Sequence, residues 1–205
     1  MSDLHYRLAA IALILGALLA LPIEYLFLQT HGPYEAALGQ IVWGLNHHDY
    51  SRWAVFPALL ILPGLRAFHL RQREAYGKLG LWGYRLSFGG FALATCGQIW
   101  DYVLFDPWGH PMHGIGFFAQ LLAIMMIVIG LPAWAAANFR SLSGWRLAIP
   151  ALWVLYIIVL LLYLFILEET WLYTRYGIDG YFLSDIVLGI AYGLMGLTLW
   201  PKEKI

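Results

Sequence analysis

The sequence predicts an all-α integral membrane protein with six transmembrane helices, and three observations support this fold class. Hydrophobic residues make up 61% of the 205 residues and charged residues only 12%, whereas soluble domains are about half apolar and about a quarter charged. The apolar residues form long unbroken runs without alternation, so helices are expected to span the bilayer rather than barrel strands. Basic residues cluster in alternate connecting loops, which is typical of multi-pass membrane proteins.

The apolar runs define a single transmembrane domain over residues 1–205. The first run follows Arg7 and continues well past the length of a signal-peptide core without a small-residue cleavage site, so we predict a retained span. The second is short, because Arg52 and Arg66 flank it; counting ~20 residues back from Arg66 places its start near Asn46. The predicted spans are residues 8–28, 53–70, 81–105, 113–137, 145–167 and 181–200.

Single residues predict local features of the second and third spans. Pro57 and Pro63 are expected to kink the second span. Gly89 and Gly90 are expected to form a close-packing point in the third. Cys96 is the only cysteine, which excludes an internal disulfide, and it is expected to be a small buried hydrophobic residue.

Basic residues orient the predicted bundle. The loops on one side carry only Arg52 and Arg175, whereas the other side is rich in Arg and Lys. By the positive-inside rule, both termini are predicted to be cytoplasmic, with the protein in the plasma (inner) membrane. The inward basic residues are Arg7, Arg66, Arg71, Arg73, Lys78, Arg85, Arg140, Arg146, Lys202 and Lys204.

The formal net charge is zero, which gives no bulk attraction to nucleic acid. The predicted partners are the lipid bilayer, a lipophilic small-molecule substrate, and other copies of the chain or a larger membrane complex.

The chain is also predicted to contain three repeated helical hairpins, since internal repeats are common in membrane proteins that hold a site between repeats. Each hairpin begins with an aromatic–Arg–Leu triplet: Tyr6-Arg7-Leu8, Tyr84-Arg85-Leu86 and Trp145-Arg146-Leu147.

Three carboxylates are predicted to share one depth in the membrane. The spacings to the inner basic residues are seventeen residues from Arg7 to Glu24, sixteen from Arg85 to Asp101 and seventeen from Asp185 to Lys202. These spacings correspond to ~24–25 Å of helix, about one turn below the outer surface of a hydrocarbon core ~30 Å thick. Because ionisable groups that face lipid are costly, we expect the three acids to face one polar cavity and to be its catalytic groups.

Histidines at the predicted outer face indicate a metal site. His110 and His113 are three residues apart, Asp106 precedes His110 by four, and His47 and His48 lie in another loop at the same face. Imidazole and carboxylate ligands suit copper, zinc or non-haem iron. These residues predict a metal-dependent membrane enzyme, or a metal-binding protein, that acts on a lipid-soluble substrate.

Two alternatives require no metal. A buried carboxylic acid among aromatic side chains can protonate an alkene, as in isoprenoid cyclisation or double-bond isomerisation. Leu21-Pro22-Ile23-Glu24 resembles the Pro-x-Glu motif of membrane lycopene cyclases, and Trp100-Asp101 resembles their Trp-Asp pair, although Tyr25 stands where that family has a second acid. This resemblance implies a lipid or isoprenoid cyclase or isomerase. The other alternative is a non-catalytic accessory subunit, or a transporter in which the three acids carry protons or cations.

Overall fold

The computed structural model describes residues 2–30, 42–45, 47–105, 114–166 and 180–200. They form six long helices: α1 Asp3–Thr30, α2 His47–Gln72, α3 Gly77–Gln98, α4 Ile115–Ser141, α5 Ala148–Ile166 and α6 Gly180–Leu199. A π-helical turn, Ile99–Leu104, continues α3, and a 3₁₀ turn, Gly144–Leu147, precedes α5. The described ranges contain no β-strand, only a single bridge between Val42 and Leu45. The all-α class is therefore confirmed.

Five helical segments are long and apolar enough to cross a membrane, which indicates a membrane protein. They are Asp3–Phe27, Asp49–Gln72, Ile115–Ser141, Gly144–Leu162 and Phe182–Leu199. The predicted third span, residues 81–105, is not among these segments. Helix α3 carries Lys78 and Arg85 and is rich in glycine, so no stretch of it reaches the mean hydropathy of the other five segments. Within the described residues, hydropathy thus supports five of the six predicted spans.

The long helices pack as a ring that follows the order of the chain. Each helix contacts the next one along the chain, and α6 closes the ring by packing on α1. Helix α1 runs antiparallel to both α2 and α6, because the ends of these two helices meet its start. Arg71, near the end of α2, donates a hydrogen bond of 2.8 Å to the carbonyl of Leu199, at the end of α6. The same guanidinium lies 5.6 Å from the ring of Tyr6, at the start of α1. The pairs α1–α2, α3–α4 and α5–α6 are thus hairpin-like neighbours, while a threefold repeat stays a prediction.

The two ends of this bundle differ in charge. We use the term basic end for the end where α1, α3 and α5 begin, since it carries Arg7, Arg66, Arg71, Arg73, Lys78, Arg85, Arg140 and Arg146. We call the other end of the bundle, where α2, α4 and α6 begin, the opposite end. Helix α2 begins there at His47, one residue from the position predicted by counting back from Arg66, and it continues without a break through Pro57 and Pro63.

The core is densely filled towards the basic end. The indole rings of Trp134 and Trp153 stack with their centroids 4.5 Å apart, and Phe68 packs edge-on against both at 5.9 and 6.0 Å. All three side chains are fully buried. Beside them, the ring of His69 stacks on Tyr84 at 3.6 Å. These aromatic side chains fill the basic half of the ring, whereas the opposite half encloses open space.

Glycines allow α3 and α4 to approach closely. The glycines on the face of α3 that meets α4 recur every seven residues: Gly83, Gly90 and Gly97. A Cβ atom on Gly90 would lie 2.8 Å from the backbone oxygen of Ala123, which cannot move without shifting α4. A Cβ on Gly89 would meet only the terminal methyl of Met126, at 2.9 Å. The structure therefore places the predicted close-packing point at Gly90 and not at Gly89.

Candidate functional site

The open half of the bundle contains a cavity with two lobes. A polar lobe of about 220 Å³ lies towards the opposite end, and an apolar lobe of about 290 Å³ lies deeper in the bundle. Four residues line both lobes and mark their junction: Glu24, Ala54, Gln98 and Asp185. All six helices contribute to the lining. A concave site of this kind, with a few polar groups set in apolar walls, is typical of small-molecule binding.

Glu24 and Asp185 come together at the junction although they are far apart in the chain. Glu24 lies near the end of α1 and Asp185 in the second turn of α6, and the antiparallel contact of these helices brings both to one level. Beside them, the rings of Tyr25, which follows Glu24, and of Phe182, three residues before Asp185, meet with centroids 5.8 Å apart. Both acidic residues are half-buried. Two of the three acids that were predicted to share one depth thus line the same cavity.

Asp101 has a different environment from the other two acids. It lies in the π-helical turn, where the N–H of Phe105 bonds to the carbonyl of Trp100, five residues back, at 3.0 Å. Its side chain is only 2% exposed, and its Oδ1 accepts a hydrogen bond of 3.1 Å from the backbone N–H of Gly116. Asp101 is not among the residues that line the cavity. Its carboxylate caps the start of α4, where the helix dipole favours negative charge.

Two glycines at the start of α4 make room for this carboxylate. Gly114 precedes the helix with a φ of 102°, a left-handed backbone conformation that residues other than glycine rarely adopt. At Gly116, a Cβ atom would lie 2.5 Å from the Asp101 carboxyl carbon, so only glycine fits. The Gly-Ile-Gly segment thus shapes a helix start that accepts Asp101 from the preceding π-helical turn.

The polar lobe is held together by contacts between α2 and the π-helical turn. Arg52 donates a hydrogen bond of 2.7 Å from Nε to the carbonyl of Tyr102, and its guanidinium lies 3.6 Å from the Asp49 carboxylate. Ser51 and Tyr102 line the polar lobe together with Glu24. The π-helical turn therefore belongs to the wall of the site, as is frequent for such turns.

The apolar lobe contains hydroxyl groups that the sequence pattern did not reveal. Thr95, Tyr156, Ser184 and Tyr192 are buried and line this lobe. Tyr192 lines this lobe together with Asp185 and Tyr156. The position of Tyr192 carried a signal, because it follows Asp185 by seven residues and a helix presents residues seven apart on one face. Thr95 and Tyr156 are on other helices, and nothing in the sequence relates them to the acids.

The predicted metal site falls largely outside the described residues and stays a prediction. Asp106, His110 and His113 lie outside the described residues. For His47 and His48, only their place in the first turn of α2 is described. Within the described ranges, no group of three or more His, Cys, Asp or Glu side chains is arranged to hold a metal ion.

No protein family, curated protein or solved structure matches the chain. The polar lobe can admit water to the carboxyl groups, so that they exchange protons with the aqueous phase. The apolar lobe can accommodate hydrocarbon next to the same carboxyl groups. The lining thus places two carboxyl groups where a water-accessible lobe meets an apolar one.

Proposed function

We propose that the protein is a membrane enzyme that transfers protons to and from a lipophilic substrate bound in the two-lobed cavity. Glu24 and Asp185 are the proposed acid and base. The observation that carries this proposal is the position of both carboxyl groups at the junction between a polar lobe and an apolar lobe. A transporter for protons or hydrophilic cations would not require a hydrocarbon-sized lobe beside the acids.

The proposed reaction needs no cofactor. One residue, as a carboxylic acid, donates its proton to a carbon of an alkene, and the alkene π electrons form the new C–H bond. The carboxylate of the other residue then removes a proton from a carbon next to the cationic centre, and that C–H electron pair becomes the new double bond. The double bond has moved, or a ring has closed between the two steps, without net oxidation. The aromatic faces of Tyr156 and Tyr192 would stabilise the cation.

The proposed setting is the plasma membrane, with α3 crossing it as a sixth span. The many Arg and Lys residues of the basic end favour the cytoplasmic side for that end. The polar lobe would then open towards the outer face. Helix α3 packs between α2 and α4 in the ring, so its glycine-rich face contacts α4 rather than lipid.

Deuterium transfer tests this function without requiring that the substrate be identified first. The purified protein is incubated in D₂O with a total lipid extract of the host membrane, and the lipids are analysed by mass spectrometry. The wild type should place deuterium in a C–H position of one lipid class. Glu24→Gln and Asp185→Asn should each reduce the rate by about 10²–10⁴, the usual contribution of acid–base groups.

Glu74→Gln is the matched control, because Glu74 is an exposed acid at the basic end, far from the cavity. This variant should transfer deuterium to the lipid at the wild-type rate. Equal rates in Glu24→Gln and the wild type would overturn the proposal, as would a wild type that deuterates no lipid.

The metal-dependent enzyme predicted from His110, His113, Asp106, His47 and His48 is the second candidate. Its ligands would hold zinc, copper or iron at the outer face. Elemental analysis of protein purified without a metal-affinity step discriminates the two candidates. A transition metal near one equivalent that is lost in His113→Ala favours the metal site, whereas deuterium transfer by metal-free protein favours acid–base chemistry.

A further inference from the structure

A second concave surface lies on the outside of the bundle, between α1, α2 and α3. It is a groove of about 770 Å³ with mainly apolar walls, which include Leu8, Ala12, Leu59, Leu62 and Phe88. Leu8 and Leu59 are 56% and 47% exposed, so the groove opens away from the bundle axis. In a membrane, this opening faces lipid chains.

One end of the groove is basic. Arg66 lines the groove one helical turn after Leu62, and its side chain is exposed. His5, on the facing wall from α1, is held by a 2.5 Å hydrogen bond between its Nδ1 and the hydroxyl of Ser2. A guanidinium at the edge of a hydrocarbon region binds phosphate groups through short, charge-assisted hydrogen bonds. An apolar groove with an arginine at its interfacial end therefore matches the shape and charge of a lipid phosphate.

The groove adjoins the apolar lobe of the central cavity. Leu62 lines both of them. On α3, Phe88 lines the groove and Phe91, one turn further along, lines the cavity. The half-buried side chain of Leu62 therefore lies between the groove and the cavity, and the proposed passage for a lipid chain runs between α2 and α3 at this residue.

We propose that the substrate of the cavity is a long-chain lipid with a phosphate headgroup, which Arg66 binds in the groove while its chain passes Leu62. This inference rests on the proposed function. The helical rise from Arg66 to Ala54, where the lobes meet, is ~18 Å. A lipid anchored at Arg66 therefore presents to Glu24 and Asp185 a double bond far from its phosphate, and a short phosphate ester does not reach them.

Binding of a long-chain prenyl monophosphate and of the matching prenyl alcohol tests the headgroup site. Equilibrium dialysis in detergent should give the wild type a preference of about tenfold or more for the phosphate, the usual effect of a hydrogen bond to a charged group. Arg66→Gln should abolish this preference. Arg85→Gln, a control on α3 at the same end with its guanidinium over the Trp82 ring, should retain it.

Leu62→Trp tests the passage, because it should retain the phosphate preference and lose deuterium transfer to the same lipid. The inference is overturned if the wild type does not distinguish phosphate from alcohol, or if Arg66→Gln retains the preference. It is also overturned if Leu62→Trp transfers deuterium at the wild-type rate, provided that a thermal unfolding transition shows this variant to be folded. Deuterium transfer that persists while the phosphate preference is absent leaves the proposed function intact. A phosphate preference at Arg66 without any transfer overturns the proposed function and supports only the headgroup site.

Discussion

At the scale of single residues, the three acids that the sequence placed at one depth have two different environments. Glu24 and Asp185 line the cavity, whereas Asp101 is buried against the backbone of Gly116. Counting residues from a basic anchor predicts depth, but it does not predict the direction of a side chain. The direction of Asp101 depends on a π-helical turn and on a partner fifteen residues away, and neither has a pattern in the sequence.

Substitutions of Asp101 should therefore affect stability first. Asp101→Ala should lower the free energy of unfolding by about 1–3 kcal/mol, because the buried N–H of Gly116 loses its acceptor. Asp101→Asn retains an acceptor oxygen and should cost only about 0.3–1 kcal/mol, the usual value of a charge at a helix N-terminus. Unfolding of the purified protein in detergent measures both changes.

Glu74→Ala serves as the comparison for these variants, since Glu74 is exposed in the connection between α2 and α3. Its effect should stay within about 0.5 kcal/mol. If Asp101→Asn abolished deuterium transfer at unchanged stability, the capping role would be insufficient and Asp101 would belong to the chemistry.

At the scale of elements, helix existence was predictable and helix contacts were not. Long apolar runs define most of the helices, since nothing else satisfies backbone groups in lipid. Helix α3 is the exception, because its glycines and basic residues lower its hydropathy. The glycines contact α4, and the basic residues lie towards the basic end. Cys96, predicted to be buried, is exposed. Its neighbours in α3, Thr95 and Gly97, face the cavity and α4, so Cys96 points away from both.

The adjacent glycines of α3 provide a matched pair for the α3–α4 contact. Gly90→Ala should destabilise the protein by about 1–3 kcal/mol, because the new methyl group collides with the α4 backbone. Gly89→Ala should be tolerated, because the end of the Met126 side chain can move and alanine favours helix by up to about 1 kcal/mol. Thermal unfolding of the two variants in the same detergent measures the difference. Equal midpoints would mean that α3 and α4 are not packed as described.

At the scale of the whole molecule, the membrane class followed from composition, while the ring and its two-lobed cavity did not. A ring depends on which face each helix turns to its neighbours, and the apolar runs are too uniform to specify this. Both faces of a membrane helix are apolar, one against lipid and one against protein. Only the positions of glycines and acids distinguish them.

Cysteine labelling tests the orientation and the number of spans together. In a Cys96→Ser background, Glu74→Cys and Ser143→Cys lie at the basic end and Trp43→Cys at the opposite end, all three exposed. A membrane-impermeant maleimide applied to intact cells should label only Trp43→Cys, because the basic end is expected in the cytoplasm. Labelling of both Glu74→Cys and Ser143→Cys but not Trp43→Cys would reverse the orientation. Labelling of only one of these two would mean that α3 does not cross the membrane.

The ring in chain order has a consequence for biosynthesis. During translation, each new helix can pack on the one that has just been inserted, so assembly proceeds through neighbours in the chain. Helix α6 is the exception, since this last described helix packs on α1 and also contacts α2. Glu24 is inserted into the membrane before Asp185, and the two acids line one cavity only after α6 has packed on α1. If the pair acts as proposed, a nascent chain is inactive until this single late step of insertion.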